Sequence, residues 1–273
     1  MSLIAIGLNY AARSNVETAK LFQDRLQAEL TMRSARSRVY YELFKHDPSD
    51  LSDKVQSGVK WNLRGQPIQP DSKTKIKIQA AVGLFSIASM SEDYMRSLLT
   101  NLEVNESTQS IIINSINDWQ DSDSDMRFGG AEDNFYAQTE AKYSRNGVMQ
   151  HLSELRYIRG IDDALYQKLT PLLTTYLTPW FNPVLAPPIL VRSVFSEDNT
   201  ELIVQLQNKQ AFTRQAWQNI VGQNELKNVD THPGSIFMVE LEVVEGEVRL
   251  LKKFDIKVQT EKANSPLIIL RVY

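Results

Sequence analysis

The stretch that decides the reading is Asp118-Trp119-Gln120-Asp121-Ser122-Asp123-Ser124-Asp125-Met126-Arg127-Phe128-Gly129-Gly130-Ala131-Glu132-Asp133-Asn134-Phe135-Tyr136, which packs six carboxylates and two glycines into nineteen residues. Carboxylates at alternate positions repel one another unless a hard cation neutralises them. Asp121, Asp123, Asp125 and Glu132 fall at positions 1, 3, 5 and 12 of a calcium loop. Position 6, where an EF-hand needs glycine, holds Met126, and the glycines follow at Gly129 and Gly130. The backbone path must therefore differ from an EF-hand. Charge alone leaves a solvated acidic linker open as the alternative, but Trp119 and the pair Phe135-Tyr136 bracket the run, which suits a folded loop pinned at both ends. Magnesium is the competing ion. It favours few protein ligands and retained waters, whereas several carboxylates with a late glutamate suit calcium.

Working outward, the preceding segment carries Tyr94, Leu98 and Leu99, then Ile111, Ile112, Ile113 and Ile116, a helical pattern that starts near Ser91. Downstream, helices are expected over Ser153 to Leu173, Pro188 to Phe195, Glu197 to Lys209 and Thr213 to Ile220. At the N-terminal end, Leu8 to Phe44 contains no proline or glycine, and its apolar positions recur at helical spacing. That predicts one long helix, stopped near Lys45-His46-Asp47-Pro48 because proline cannot continue it. Two regions read as strands instead. In the first, Trp61 to Ile68 forms a turn between short strands, and Ile76, Ile78, Ala80 and Val82 alternate with other side chains. In the second, Ile236 to Val244, a Glu245-Gly246 turn, Val248 to Val258 and Leu267 to Tyr273 form a C-terminal set.

The order helix, strands, helices, strands reads most simply as one α+β domain interrupted by an all-α insertion. Its boundaries are expected at 1–88, 89–228 and 229–273. The chain of 273 residues is 42% hydrophobic, enough for a sizeable core. A formal charge of −3 gives no electrostatic footprint for nucleic acid. Without cysteine there are no disulfides, thiolate metal sites or thiol nucleophiles. The uncharged segment Met1 to Ala12 is too short to span a bilayer alone and lacks the features of a signal peptide.

Leu152 to Leu169 reads as a helix, a turn at Gly160 and a second helix, resembling a helix-hairpin-helix or SAM-like unit. A second such unit is placed in Glu201 to Val221, around Ala211-Phe212-Thr213. A nucleic-acid-binding helix-hairpin-helix protein is accordingly the rival function, although Asp162 and Asp163 in the turn would repel phosphate. His46, His151 and His232 have no ligand-like spacing, and no phosphate loop, dinucleotide fingerprint or nucleophile elbow is present. The expectation is a protein that is not an enzyme.

Several of these residues recur as a set: Asp118-Trp119, Asp121, Asp123, Gly130-Ala131-Glu132-Asp133, Tyr136, Tyr143, Asn146, then Leu152-Ser153-Glu154-Leu155-Arg156 and Gly160. The set resembles the signature of the K-type minor pseudopilins of the type II (general) secretion pathway. Asn182, Ala186-Pro187-Pro188, Phe212 and Trp217 extend the similarity, while Val82 to Ile87 lacks the asparagines usual in that family. The resemblance implies a pilin-like fold, a long N-terminal helix on an antiparallel sheet with a large helical insertion. It implies structural calcium on Asp121, Asp123, Asp125 and Glu132, with Asp118 and Asp133 as further ligands. The implied partners are the I-type and J-type minor pseudopilins and the pseudopilus filament, with contact to secreted substrates left open and no nucleic acid. The implied place is the periplasm, anchored in the bacterial inner membrane by an N-terminal helix outside this chain. Such a subunit would sit at the pseudopilus tip and serve protein export across the outer membrane.

Overall fold

In a computed structural model, residues 2–45, 55–56, 59–209, 217, 229–259 and 267–273 are described. The chain divides into two compact units, Met1–Ala80 with Ser235–Tyr273, and Ala81–Gly234. The boundaries expected from the sequence lie at 88/89 and 228/229.

In the first unit, helix α1 spans Ser2–Lys45, beginning six residues before the predicted Leu8. Its length is about 66 Å at 1.5 Å per residue. Ala28, Met32, Ala35, Val39 and Leu43 are buried, a spacing of three and four residues that lays one stripe on the sheet. Upstream, the stripe ends: Tyr10, Val16, Phe22 and Leu26 are all more than half exposed. The expected proline stop at Pro48 lies outside the described residues. Among the described residues no helix is long and apolar enough to cross a membrane.

The sheet against α1 is antiparallel and built from β3 (Thr74–Ala80), β6 (Ile236–Glu245), β7 (Val248–Val258) and β8 (Leu267–Val272), in that spatial order. Alternation fixes its register. Ile76 and Ile78 pair with Leu241 and Val239, and all four side chains are buried. Glu245 pairs with Val248, leaving Gly246-Glu247 as a two-residue hairpin loop. Gly246 takes φ +56°, the positive value that such a turn demands at its first central position. A register shift at Asp255/Ile256 bulges β7 against β8.

Trp61 to Ile68 differs from its reading as a turn between short strands. The short strands β1 (Val55–Gln56) and β2 (Val59–Lys60) pair with each other. The following segment instead runs antiparallel along the outer edge of β3, with bridges Arg64 to Gln79 and Ile68 to Ile76. Trp61, Leu63 and Ile68 are buried, and this segment blunts what would otherwise be a free sheet edge.

The second unit is helix-rich but not all-α. A 3₁₀ turn at Ala81–Gly83 takes Val82 out of the predicted strand, and β4 (Phe85–Ser86) pairs in parallel with β5 (Leu173–Thr174). Between them come α2 (Glu92–Asn101), α3 (Glu106–Gln120), the acidic loop, α4 (Asp133–Tyr136), a 3₁₀ turn at Leu152–Arg156 and α5 (Asp163–Leu169). Then follow α6 (Pro188–Val194) and α7 (Glu197–Lys209). The helix starts are chemically marked: Ser91, Asn105 and Asp162 each accept a backbone N–H of the first turn.

The reading of Leu152 to Leu169 as two helices joined by a turn at Gly160 is corrected. Only a five-residue 3₁₀ turn precedes Gly160, so two α-helices do not flank the glycine. Gly160, at φ +91°, packs on α3, where an added Cβ would meet Ile112 Cγ1 at 2.9 Å. The glycine serves that close approach. Most of the predicted Thr213 to Ile220 helix and the Ala211-Phe212-Thr213 turn lie outside the described residues. Trp217 is helical, buried and edge-on to Phe195.

The second unit also holds its own two ends together. Gly234, at φ +70°, lies so near Val82 that an added Cβ would come within 2.9 Å of Cγ1. Asn182, fully buried, ties the same region: its backbone N–H donates to Val82 O at 2.7 Å, and its Nδ2 to His232 O at 3.1 Å.

Candidate metal centre

Helix α3 ends by burying its last turn. Asp118 is completely buried and Trp119 nearly so, and the half-buried Asp121 caps the helix. The chain then runs exposed from Ser122 to Phe128 before it folds back through Gly129 and Gly130. Gly129 takes φ +74°, and this late turn returns the backbone to Asp118. Asp118 Oδ2 accepts the Ala131 N–H at 2.9 Å, and the Arg127 N–H reaches the same carboxylate. Gly130 is in such close contact that a Cβ there would lie 2.0 Å from Asp118 Oδ2. Glu132 follows and is buried at the start of α4.

The return brings Asp118, Asp121 and Glu132 together, with one carboxylate oxygen from each within 4.8 Å of the others. Like charges at that distance repel by roughly 3 to 4 kcal/mol per pair at an effective dielectric of about 20. Arg127 partly offsets this, its Nη1 donating to Asp118 Oδ1 at 2.7 Å and also to Asp121 Oδ2. These two carboxylates in turn push the guanidinium's own pKa up. Glu132 has no such partner. Its Oε1 and the Oδ1 of Asp121 are buried without a hydrogen bond. Burial drives the Glu132 carboxyl above its ordinary value, and the charges of Asp118, Asp121 and Asp133 add to that, against the Ser144 hydroxyl.

Ser144 is short of protons. Its single O–H faces Glu132 Oε2 at 3.3 Å, Asp133 Oδ1 at 2.6 Å and Asn146 Oδ1 at 2.9 Å, and it can serve one of them at a time. Together with the Ser144 N–H at 2.7 Å, it holds Asp133 below its ordinary carboxylate value. The cluster is thus rich in hard oxygen acceptors and short of positive charge, which is the chemistry of a calcium- or magnesium-type site.

The six predicted ligands divide accordingly. Asp118, Asp121 and Glu132 converge. Asp133 is adjacent but turned to Ser144, while Asp123 and Asp125 stay in the exposed arm, where Asp123 Oδ1 accepts the Asp125 N–H at 2.9 Å. Arg127, Ser144 and Glu154 are residues that the ligand pattern did not single out. Arg127 carried a sequence signal as the one cation inside the acidic run, Glu154 stood in the Leu152-Ser153-Glu154-Leu155-Arg156 part of the family-like set, and Ser144 carried none.

Glu154 braces the site from behind. One oxygen accepts Trp119 Nε1 at 3.0 Å, and the other accepts the Gln150 and His151 N–H groups, each at 3.0 Å. Trp119 stands edge-on to Tyr136 with centroids 4.9 Å apart and stacks on Tyr157. The aromatics that bracket the acidic run therefore clamp its two ends together. Asn146, at φ +52°, donates its N–H to Trp119 O at 3.1 Å and closes the clamp.

A long helix on an antiparallel sheet, interrupted in sequence by a helix-rich second unit that carries this clamped acidic loop, is consistent with a pilin-like fold. Residues 75–178 match the first-domain model of the family "Type II secretion system (T2SS), protein K". The chain is 32% identical over 170 residues to a putative type II secretion system protein K of Escherichia coli K12, covering 56% of this chain and 48% of the relative. The type II secretion system protein K of Klebsiella pneumoniae is 26% identical over 190 residues, covering 62% and 58%. The chain thus spans about half the length of the curated relatives it matches. A chain in the crystal structure of the GspK-GspI-GspJ complex from enterotoxigenic Escherichia coli shares the fold, with a TM-score of 0.63 at 19% identity, covering 93% of this chain and 98% of that one.

Proposed function

We propose that this chain is the K-type minor pseudopilin of a type II secretion system, a non-enzymatic subunit at the tip of the periplasmic pseudopilus that works in protein export and is held at the inner membrane. The observation that carries this is helix α1. Its sheet-facing stripe begins at Ala28, and the exposed Tyr10, Val16, Phe22 and Leu26 upstream offer an apolar surface for neighbouring helices. A subunit enlarged by the Ala81–Gly234 unit would obstruct another stacked above it, which favours a filament end over a repeating position. The similar structure is titled as a complex of K, I and J proteins, so the I-type and J-type pseudopilins are the partners to test. Mixed with both ectodomains at tens of micromolar, the chain is expected to co-elute with them as a ternary complex. Elution alone under those conditions would remove the reading. A nucleic-acid function has no supporting observation, since Gly160 packs against a helix.

The same reading gives the acidic loop a structural calcium ion, with Asp118, Asp121 and Glu132 as the residues to hold it. The buried, unpartnered Glu132 Oε1 supports this. Bound there, the ion would supply the positive charge that lets three carboxylates share one pocket. A site absent from the unfolded chain adds its binding free energy to folding, about 2.7 kcal/mol at a hundredfold excess over Kd. Calcium is therefore expected to raise the melting temperature by about 5 to 10 °C over a chelator-treated sample. Identical melting curves would refute a structural ion.

A further inference from the structure

We infer that Arg127 is a resident competitor for the cation of this pocket, its guanidinium bridging the carboxylates when no ion is bound and leaving for solvent when one enters. The inference rests on the cation-site reading above.

The geometry is that of a stand-in. Nη1 lies against Asp118 Oδ1 and Asp121 Oδ2, two of the three carboxylates whose oxygens converge. It satisfies them incompletely, because Asp121 Oδ1 and the buried Glu132 Oε1 remain without partners. One positive charge faces three negative ones, and a planar guanidinium donates along fixed directions that do not include Glu132. A divalent cation carries twice the charge and accepts oxygens from all sides. It would claim the oxygens that Arg127 now bridges, and two cations cannot share them.

The exit is equally built in. The Arg127 side chain is 41% exposed while Asp118 is fully buried, so the guanidinium can swing outward without opening the core. Its backbone N–H stays on Asp118 meanwhile, and the Ala131 N–H does the same, so the loop keeps its anchor through the exchange. Ion binding is then a replacement within a folded loop, and its affinity is set by the guanidinium as well as by the ligands.

Calorimetric titration of calcium chloride into the chelator-stripped chain tests this with Arg127→Gln and Arg127→Lys. Arg127→Gln is expected to bind calcium about tenfold more tightly than the wild type, with a lower ion-free melting temperature. Arg127→Lys keeps a cation at the position and should bind nearer to the wild type. Unchanged or weaker binding by Arg127→Gln overturns the competition while leaving the site standing. Flat isotherms for all three chains overturn the site itself, and the competitor with it. If Arg127→Gln is unfolded without ion, recovery of its far-ultraviolet circular dichroism below the wild-type Kd supports the exchange. Failure to recover overturns it.

Discussion

Gly130→Ala is expected to destabilise the protein by about 3 to 5 kcal/mol, the range for breaking a buried charged pair. The new methyl group would sit 2.0 Å from Asp118 Oδ2 and 2.9 Å from its Cγ, far inside contact distance. Either the carboxylate or the 127–131 backbone must move. Asp118 then loses the Ala131 N–H and the Arg127 guanidinium, and a fully buried charge is left unpaired. Gly129→Ala is the informative comparison, because it strains a φ of +74° but only meets Ile111 Cγ1 at 3.4 Å. Urea unfolding should rank Gly130→Ala well below Gly129→Ala, and Gly130→Ala should also lose any calcium-dependent stabilisation. A Gly130→Ala midpoint equal to the wild type would show that the Asp118 contacts contribute little.

Glu154→Leu should be of similar size, about 3 to 5 kcal/mol, because it strands several donors at once and each unsatisfied one costs roughly 1 to 3 kcal/mol. The Trp119 indole N–H and the backbone N–H groups of Gln150 and His151 all depend on this carboxylate, and Arg145 lies 3.4 Å from it. Glu154→Gln keeps an acceptor oxygen and should lose about half as much. The Trp119 cluster with Tyr136 and Tyr157 reports the change directly, through near-ultraviolet circular dichroism and a red-shifted tryptophan emission. A folded Glu154→Leu protein with an unaltered near-ultraviolet spectrum would mean that the clamp is held by packing alone.

The parts of the fold legible in the sequence are those with a period. The helix from Ser2 to Lys45 and the three C-terminal strands announce themselves through spacings near four and of two, with no proline inside any of these elements. The β4 and β5 strands have two residues each and pair across most of the insertion, so no local pattern marks them. The segment before Gly160 has helical residues but too few to propagate, and it settles as a 3₁₀ turn.

The acidic loop was legible as a cluster of carboxylates, and its spacing was misleading about which of them converge. Alternate spacing gathers residues 1, 3 and 5 only if the chain turns sharply at position 6. Met126 stands there, the turn waits for Gly129, and Asp123 and Asp125 remain in the exposed arm. Asp118 joins instead, because it lies one helical turn before Asp121 on α3. The Asp118–Glu132 approach spans fourteen residues and depends on Gly130 and the Trp119 clamp, neither of which spacing reveals.

The contact between Val82 and Gly234 bears on the order in which the molecule assembles. Strands β3 and β6 pair across the whole Ala81–Gly234 segment, with Ala80 opposite Phe237. Closing so long a loop from the unfolded chain costs on the order of 3 kcal/mol more entropy than closing a short turn. Once the inserted unit has folded and drawn its termini together, β3 and β6 are joined as though by a tight connection. The pilin sheet therefore inherits its rate of formation from the domain that interrupts it, and whatever speeds the insertion's folding speeds the sheet as well.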